Sequence, residues 1–283
     1  MRSRFAVVLV AAFALALTRC RSSSSPPEQR RPPIREATVL RAGVDSSSAA
    51  LAPLVADWME RIDLSGGHVV YVAPPVGSTE PRPIIVAVHG AVDDPGLMCS
   101  AWRLIADVYP FVVCPAGAPL GKSRYVWRSS DAIDTSVDAA LAAVRARWGE
   151  RVHAGPAVYA AFSQGANKAG PVLGRKKGRF ARAVLTEGGH RAFDELAPAK
   201  AFAAAGGERI LFTCSQPGCA GAFERSRQVL ARAGVDVEIT YSGPHGHSMP
   251  PPVRESIHGG LPWVVDGLAG WEGYAAAPKL PAH

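Results

Sequence analysis

Short apolar runs recur along the middle of the chain, separated by segments rich in glycine, proline and charge. His68–Ala73, Pro83–Val88, Phe111–Cys114, Val158–Phe162, Ala181–Thr186, Arg209–Thr213 and Val235–Tyr241 read as strands. Pro83-Ile-Ile-Val-Ala-Val88 is apolar at every position, the pattern of a strand buried on both faces. Between the runs, Ala49–Ile62, Ala101–Val108 and Thr135–Trp148 carry alanine, leucine and valine at helical spacing. This alternation predicts an α/β fold, a mainly parallel sheet with helices on both faces. The chain shows no internal repeat and no phosphate-binding glycine loop.

The N-terminus departs from this pattern. Arg2 and Arg4 precede an apolar run from Phe5 to Leu17, too short to span a bilayer comfortably but suited to a secretory signal. Residues 1–19 are therefore expected to be an export signal. Leu17-Thr-Arg-Cys20 resembles a bacterial lipobox with Cys20 as the acylated residue, yet Arg19 stands where a small residue is required. Lipidation at Cys20 and ordinary secretory cleavage both stay open, so the expected location is periplasmic, membrane-anchored or secreted. Residues 20–48, with the tract Arg21-Ser-Ser-Ser-Ser-Pro-Pro, lack the apolar side chains that offset ordering entropy and read as a flexible linker. Residues 49–270 form the expected domain, and 271–283 an unpatterned tail.

Composition narrows the function classes. With 48% hydrophobic residues in 283, there is material for one core. The net charge of +7 is scattered, and its densest cluster, Arg175-Lys-Lys-Gly-Arg179, reads as a solvated turn rather than a nucleic-acid site. With Cys20 set aside, Cys99, Cys114, Cys214 and Cys219 remain in a chain expected to mature outside the cytoplasm. Cys214 and Cys219 bracket one short loop, and Cys99 opens the helix before the strand that ends at Cys114, so these are the favoured disulfides. The spacings disfavour a zinc site.

Candidate chemistry gathers at the ends of three strands. Val158-Tyr-Ala-Ala-Phe-Ser163-Gln-Gly165 is a strand breaking at a serine, with Ala161 and Gly165 as the small neighbours that a sharp strand-to-helix turn needs. Pro83–Val88 ends in His89-Gly90-Ala91, and Val235–Tyr241 is followed by His245-Gly246-His247. Together these segments resemble the α/β-hydrolase superfamily, nearest to its small esterase and dienelactone-hydrolase-like members, over roughly Gly66 to Gly270.

That resemblance implies a nucleophile at Ser163, a base at His247 rather than His245, and no cofactor. It also implies oxyanion amides at Gln164 and Ala91, with Gly90 allowing close approach. His89 and Trp127 are substrate-binding candidates; against this stand a plain strand end for His89 and a half-buried loop tryptophan for Trp127. The implied partner is a small-molecule ester, with peptidase action open and oligomeric state unspecified.

The acid departs from the family pattern. The loop after Arg209–Thr213 reads Cys214-Ser-Gln-Pro-Gly-Cys219 and lacks the usual aspartate. Glu224 lies too far into the next helix. Glu187, ending the preceding strand, is the candidate acid; the alternative makes it a strand-end residue paired with Arg182 or Arg191. Without an acid, the chain would be a weak or inactive binding protein of hydrolase fold.

Overall fold

The computed structural model describes residues 50–280. The expected export signal, Cys20 and the linker lie outside the described residues. In chain order the elements are β1 (Glu60–Asp63), β2 (Val69–Ala73), β3 (Ile84–Val88), α1 (Pro95–Ala106), β4 (Phe111–Pro115), β5 (Ala118–Gly121), β6 (Arg124–Val126), α2 (Ser130–Trp148), β7 (Ala157–Phe162), α3 (Gln164–Asn167), α4 (Ala169–Arg175), β8 (Phe180–Thr186), α5 (Leu196–Ala204), β9 (Arg209–Cys214), α6 (Cys219–Ala231), β10 (Asp236–Tyr241) and α7 (Pro251–Val265).

The strand order β1-β2-β4-β3-β7-β8-β9-β10 forms one sheet of eight strands among the described residues. β1 and β2 join antiparallel and the remaining pairs from β4 to β10 are parallel. Along β3, Ile84, Val86 and Val88 enter the core under α2, α4, α5 and α6, whereas Ile85 and Ala87 enter the core under α1 and α7. Burial on both faces explains why the strand is apolar throughout, each isoleucine and valine contributing about 1.5–3 kcal/mol when fully removed from water. Parallel order brings the C-terminal ends of β3, β7, β8 and β9 to one edge, where open α/β sheets bind ligands.

Two expectations change at the margins. Residues 50–58 are not helical; Leu51 and Leu54 donate backbone hydrogen bonds to the Thr79 and Ser78 carbonyls, and the chain then enters β1 against β2. Pro53 and edge pairing override the helical spacing read there. The segment read as a tail is packed: Trp271 and Tyr274 are buried against Tyr109, and Asp107 accepts from the Leu280 amide at 2.8 Å and faces Lys279 Nζ at 3.3 Å.

The basic cluster also finds partners. Arg179 pairs with Asp134 and Asp138 of α2, and Arg175 with Asp131. Its ion pairs fasten the turn after α4 to α2 rather than leaving it solvated. Cys99 pairs with Cys114, Cα atoms 5.6 Å apart, and Cys214 with Cys219 at 6.4 Å.

Candidate active site

β7 ends at Phe162, and the next residue, Ser163, has φ 48° and ψ −107° before α3 begins at Gln164. A non-glycine residue at positive φ is strained, and such strain persists only where surroundings enforce it. Here the Ser163 amide donates to the Thr186 carbonyl at 2.9 Å, and the Tyr159 hydroxyl donates to the Gly165 carbonyl at 3.1 Å. A Cβ on Gly165 would lie 2.8 Å from the Val88 carbonyl oxygen and 2.9 Å from that of His89. Only glycine lets α3 start this close to the end of β3.

Beside the turn lies a buried polar group. The His89 ring stacks on Trp127 with centroids 4.7 Å apart, and Trp127 Nε1–H donates to the His89 carbonyl at 3.1 Å. His89 Nδ1 lies 2.7 Å from the Gly90 carbonyl, and Nε2 accepts from the Gly117 amide at 3.1 Å. These partners require a neutral ring protonated at Nδ1, and burial pushes its pKa down in the same sense. Trp127 also donates its backbone N–H to Gln164 Oε1 at 2.7 Å.

The two substrate-binding candidates are therefore corrected. His89 and Trp127 are buried and spend their polar atoms on the protein, holding the β3 loop and the start of α3 in place. The Gly90 amide donates to Asp93 Oδ2 at 3.2 Å, and a Cβ there would meet Phe162 at 2.9 Å. Its contribution is close approach. Among the described residues no acceptor engages the Gln164 or Ala91 amides, which leaves both free for an external oxygen.

Across the edge, His247 sits in the loop between β10 and α7. Its Nε2 lies 2.7 Å from Ser163 Oγ, and its ring packs on Phe162 at 5.1 Å. It is His247 and not His245 that meets Ser163 Oγ; the His245 ring lies beside Gly243, and its amide donates to the Ser215 carbonyl at 3.2 Å. Glu187 follows β8 at φ 53°, a second strained residue on the strand next to the serine's. Its carboxylate is buried. Oε1 accepts from the Ser215 amide at 2.6 Å and faces the Ser215 hydroxyl at 2.7 Å, and Oε2 accepts from Gln216 Nε2 at 2.8 Å.

Glu187 pairs with neither Arg182, whose partner is Glu208, nor Arg191. Glu224 is exposed and pairs with Arg227. Glu187 Oε2 lies 3.9 Å from His247 Nδ1, and Gln216 Nε2 stands between them, 2.9 Å from Nδ1. Gln216 and Ser215 were not legible as site residues. Their one signal is position, directly after β9 where an aspartate was expected.

A cleft of about 530 Å³ opens beside Ser163 and His247, lined by Val92, Leu97, Met98, Ala101, Phe162 and Met249, with Asp93 also in its wall. No cluster of histidine, cysteine and carboxylate suited to a metal occurs among the described residues.

No protein-family model and no curated protein sequence matches the chain. Among solved structures it is similar to an S-formylglutathione hydrolase from Agrobacterium tumefaciens, with TM-score 0.55 and 13% identity over 78% of this chain and 99% of that one. A carboxylesterase from Mesorhizobium loti gives TM-score 0.54 and 19% identity over 72% and 99%. The Bacillus cereus carboxylesterase gives TM-score 0.51 and 14% identity over 71% and 95%. By this architecture and these neighbours, the chain has the α/β-hydrolase fold.

Proposed function

We propose that the protein is an exported serine hydrolase that cleaves neutral carboxylic esters through an acyl-enzyme on Ser163. The observation that carries this reading is the 2.7 Å approach of His247 Nε2 to the hydroxyl of a serine at positive φ, with two unengaged amides alongside. His247 takes the Ser163 proton as Oγ attacks the ester carbonyl, and the Gln164 and Ala91 amides donate to the resulting oxyanion. His247 then protonates the departing alcohol, and water deacylates the enzyme by the reverse proton path. Glu187 is the carboxylate that stabilises the imidazolium.

The cleft supports a choice of acyl group. Its aliphatic, thioether and phenyl lining suits a flexible apolar chain, and Asp93 in the wall disfavours a second carboxylate on the substrate. Cleavage of para-nitrophenyl acetate, butyrate and dodecanoate, beside an acidic half-ester, tests both points. The butyrate is the expected best substrate and the half-ester the poorest. Ser163→Ala should lower turnover on the order of 10⁶-fold; a folded Ser163→Ala protein that retains turnover would refute the reading.

Export rests on the charged and apolar pattern of residues 1–19. Mass determination of the mature N-terminus from a bacterial host distinguishes an acylated Cys20 from plain cleavage.

A further inference from the structure

We propose that Gln216 governs which nitrogen of His247 carries the proton, and that in the arrangement seen here it holds the tautomer that cannot accept from Ser163. The proposal rests on the serine hydrolase reading and adds a positioning residue to it.

The argument is one of donors and acceptors. Gln216 Nε2 lies 2.8 Å from Glu187 Oε2 and 2.9 Å from His247 Nδ1. An amide nitrogen only donates, so one hydrogen goes to the carboxylate and the other to the imidazole. A neutral imidazole that accepts at Nδ1 is protonated at Nε2, and it is Nε2 that faces Ser163 Oγ at 2.7 Å. In that state the ring donates to the serine when it should accept.

Reversing the amide sets its oxygen against Glu187 Oε2, an acceptor on an already well-occupied carboxylate: the other oxygen faces both the Ser215 amide at 2.6 Å and the Ser215 hydroxyl at 2.7 Å. The imidazolium formed during acylation would likewise present Nδ1–H to the Gln216 NH₂ group. Proton abstraction therefore requires the amide to withdraw.

The surroundings permit this. Nδ1 is 3.9 Å from Glu187 Oε2, about 1 Å beyond hydrogen-bond reach. His247 is half-exposed on a loop that contains Gly243 and Gly246, both at positive φ. The Cys214–Cys219 disulfide spans the backbone at 216, so the mobile part is the side chain. When Gln216 swings toward solvent, the ring closes on Glu187, Nδ1–H donates to the carboxylate and Nε2 becomes the base.

Long-range ¹H–¹⁵N correlation of the ¹⁵N-histidine-labelled protein reads the tautomer directly, with the His247 signals assigned by their loss in His247→Gln. Wild type should show His247 protonated at Nε2. Gln216→Ala, and Gln216→Met, which keeps the volume without a donor, should show it protonated at Nδ1. Fluorophosphonate labelling of both variants should be about tenfold faster than wild type, the effect of removing roughly one net hydrogen bond. An Nδ1–H tautomer in wild type, or an unchanged tautomer or slower labelling in both variants, would overturn the proposal. A tautomer that switches while no form of the protein labels would instead refute the hydrolase reading and leave the Gln216 assignment standing.

Discussion

Ser163 and its two neighbouring amides are fixed by backbone, whereas Glu187, Gln216 and His247 meet through side chains carried by separate loops. On the nucleophile side, β3, β7 and α3 approach so closely that Gly165 and Gly90 admit no Cβ, and the buried His89–Trp127 stack completes the wall. On the acid side, contact runs through a three-atom relay, and the histidine side chain remains 46% exposed. Preorganised amides need no rearrangement when charge develops; a histidine on a glycine-flanked loop can be switched by one amide. On the serine hydrolase reading, the difference teaches that strength of oxyanion binding and readiness of the base would be set by different parts of this molecule.

After loss of the serine itself, the largest expected effect falls on the acid side. Glu187→Gln removes the charge that would stabilise the imidazolium, and fluorophosphonate labelling should slow by about 10³–10⁴-fold with the far-ultraviolet circular dichroism unchanged. Full labelling in that variant would show that Glu187 is not the acid.

On the nucleophile side the same kind of change should be read in stability. His89→Ala loses the stack, two hydrogen bonds and packing in a closed core, and chemical denaturation should show a loss of about 2–4 kcal/mol. If His89→Ala unfolds at the wild-type denaturant concentration, the buried wall is not what holds this half.

Acidity sharpens the contrast further. Burial lowers the His89 pKa below its ordinary 6.5, so the unfolded chain binds this proton more readily than the folded one. The stability that the neutral ring contributes is fully present above pH 6.5 and is lost as pH falls below it. Denaturation midpoints from pH 7.5 downward should decline in wild type and flatten in His89→Gln.

Opening the Cys214–Cys219 loop with paired serines should cost about 2 kcal/mol by loop entropy, while labelling slows more than stability accounts for, because Ser215, which holds the Glu187 carboxylate, lies inside that loop. Equal effects on both would mean the bridge does not organise the relay. His245→Ala should be the smallest, leaving labelling within about twofold of wild type, since its ring takes no part in the contacts around Ser163.

The sharp turn at Ser163 was legible because its determinants are local. A serine between Ala161 and Gly165, and an apolar run closing on His89-Gly90, are patterns of a few consecutive residues whose backbone geometry follows from side-chain size. The partners of His89 were not legible: Gly117 and Trp127 lie far along the chain, and only the sheet order brings them beneath it. Glu187 was readable as a strand-end carboxylate, but its positive φ and its Ser215 contacts arise from packing β8 against β9. Gln216 occupies the position where an acid was sought, and nothing in the sequence says that an amide there reaches two partners. At the periphery, Ala49–Ile62 has helical spacing without the tertiary face that would make it a helix, and Trp271 and Tyr274 lack a period although Tyr109 buries them.

The central claim is that Ser163 is an activated nucleophile. Fluorophosphonate labelling of the protein, with mass mapping of the adduct, tests it most directly. The account predicts a single adduct on Ser163, absent from Ser163→Ala and nearly absent from His247→Ala. A well-folded protein that takes no label, or takes it at another residue, would contradict it.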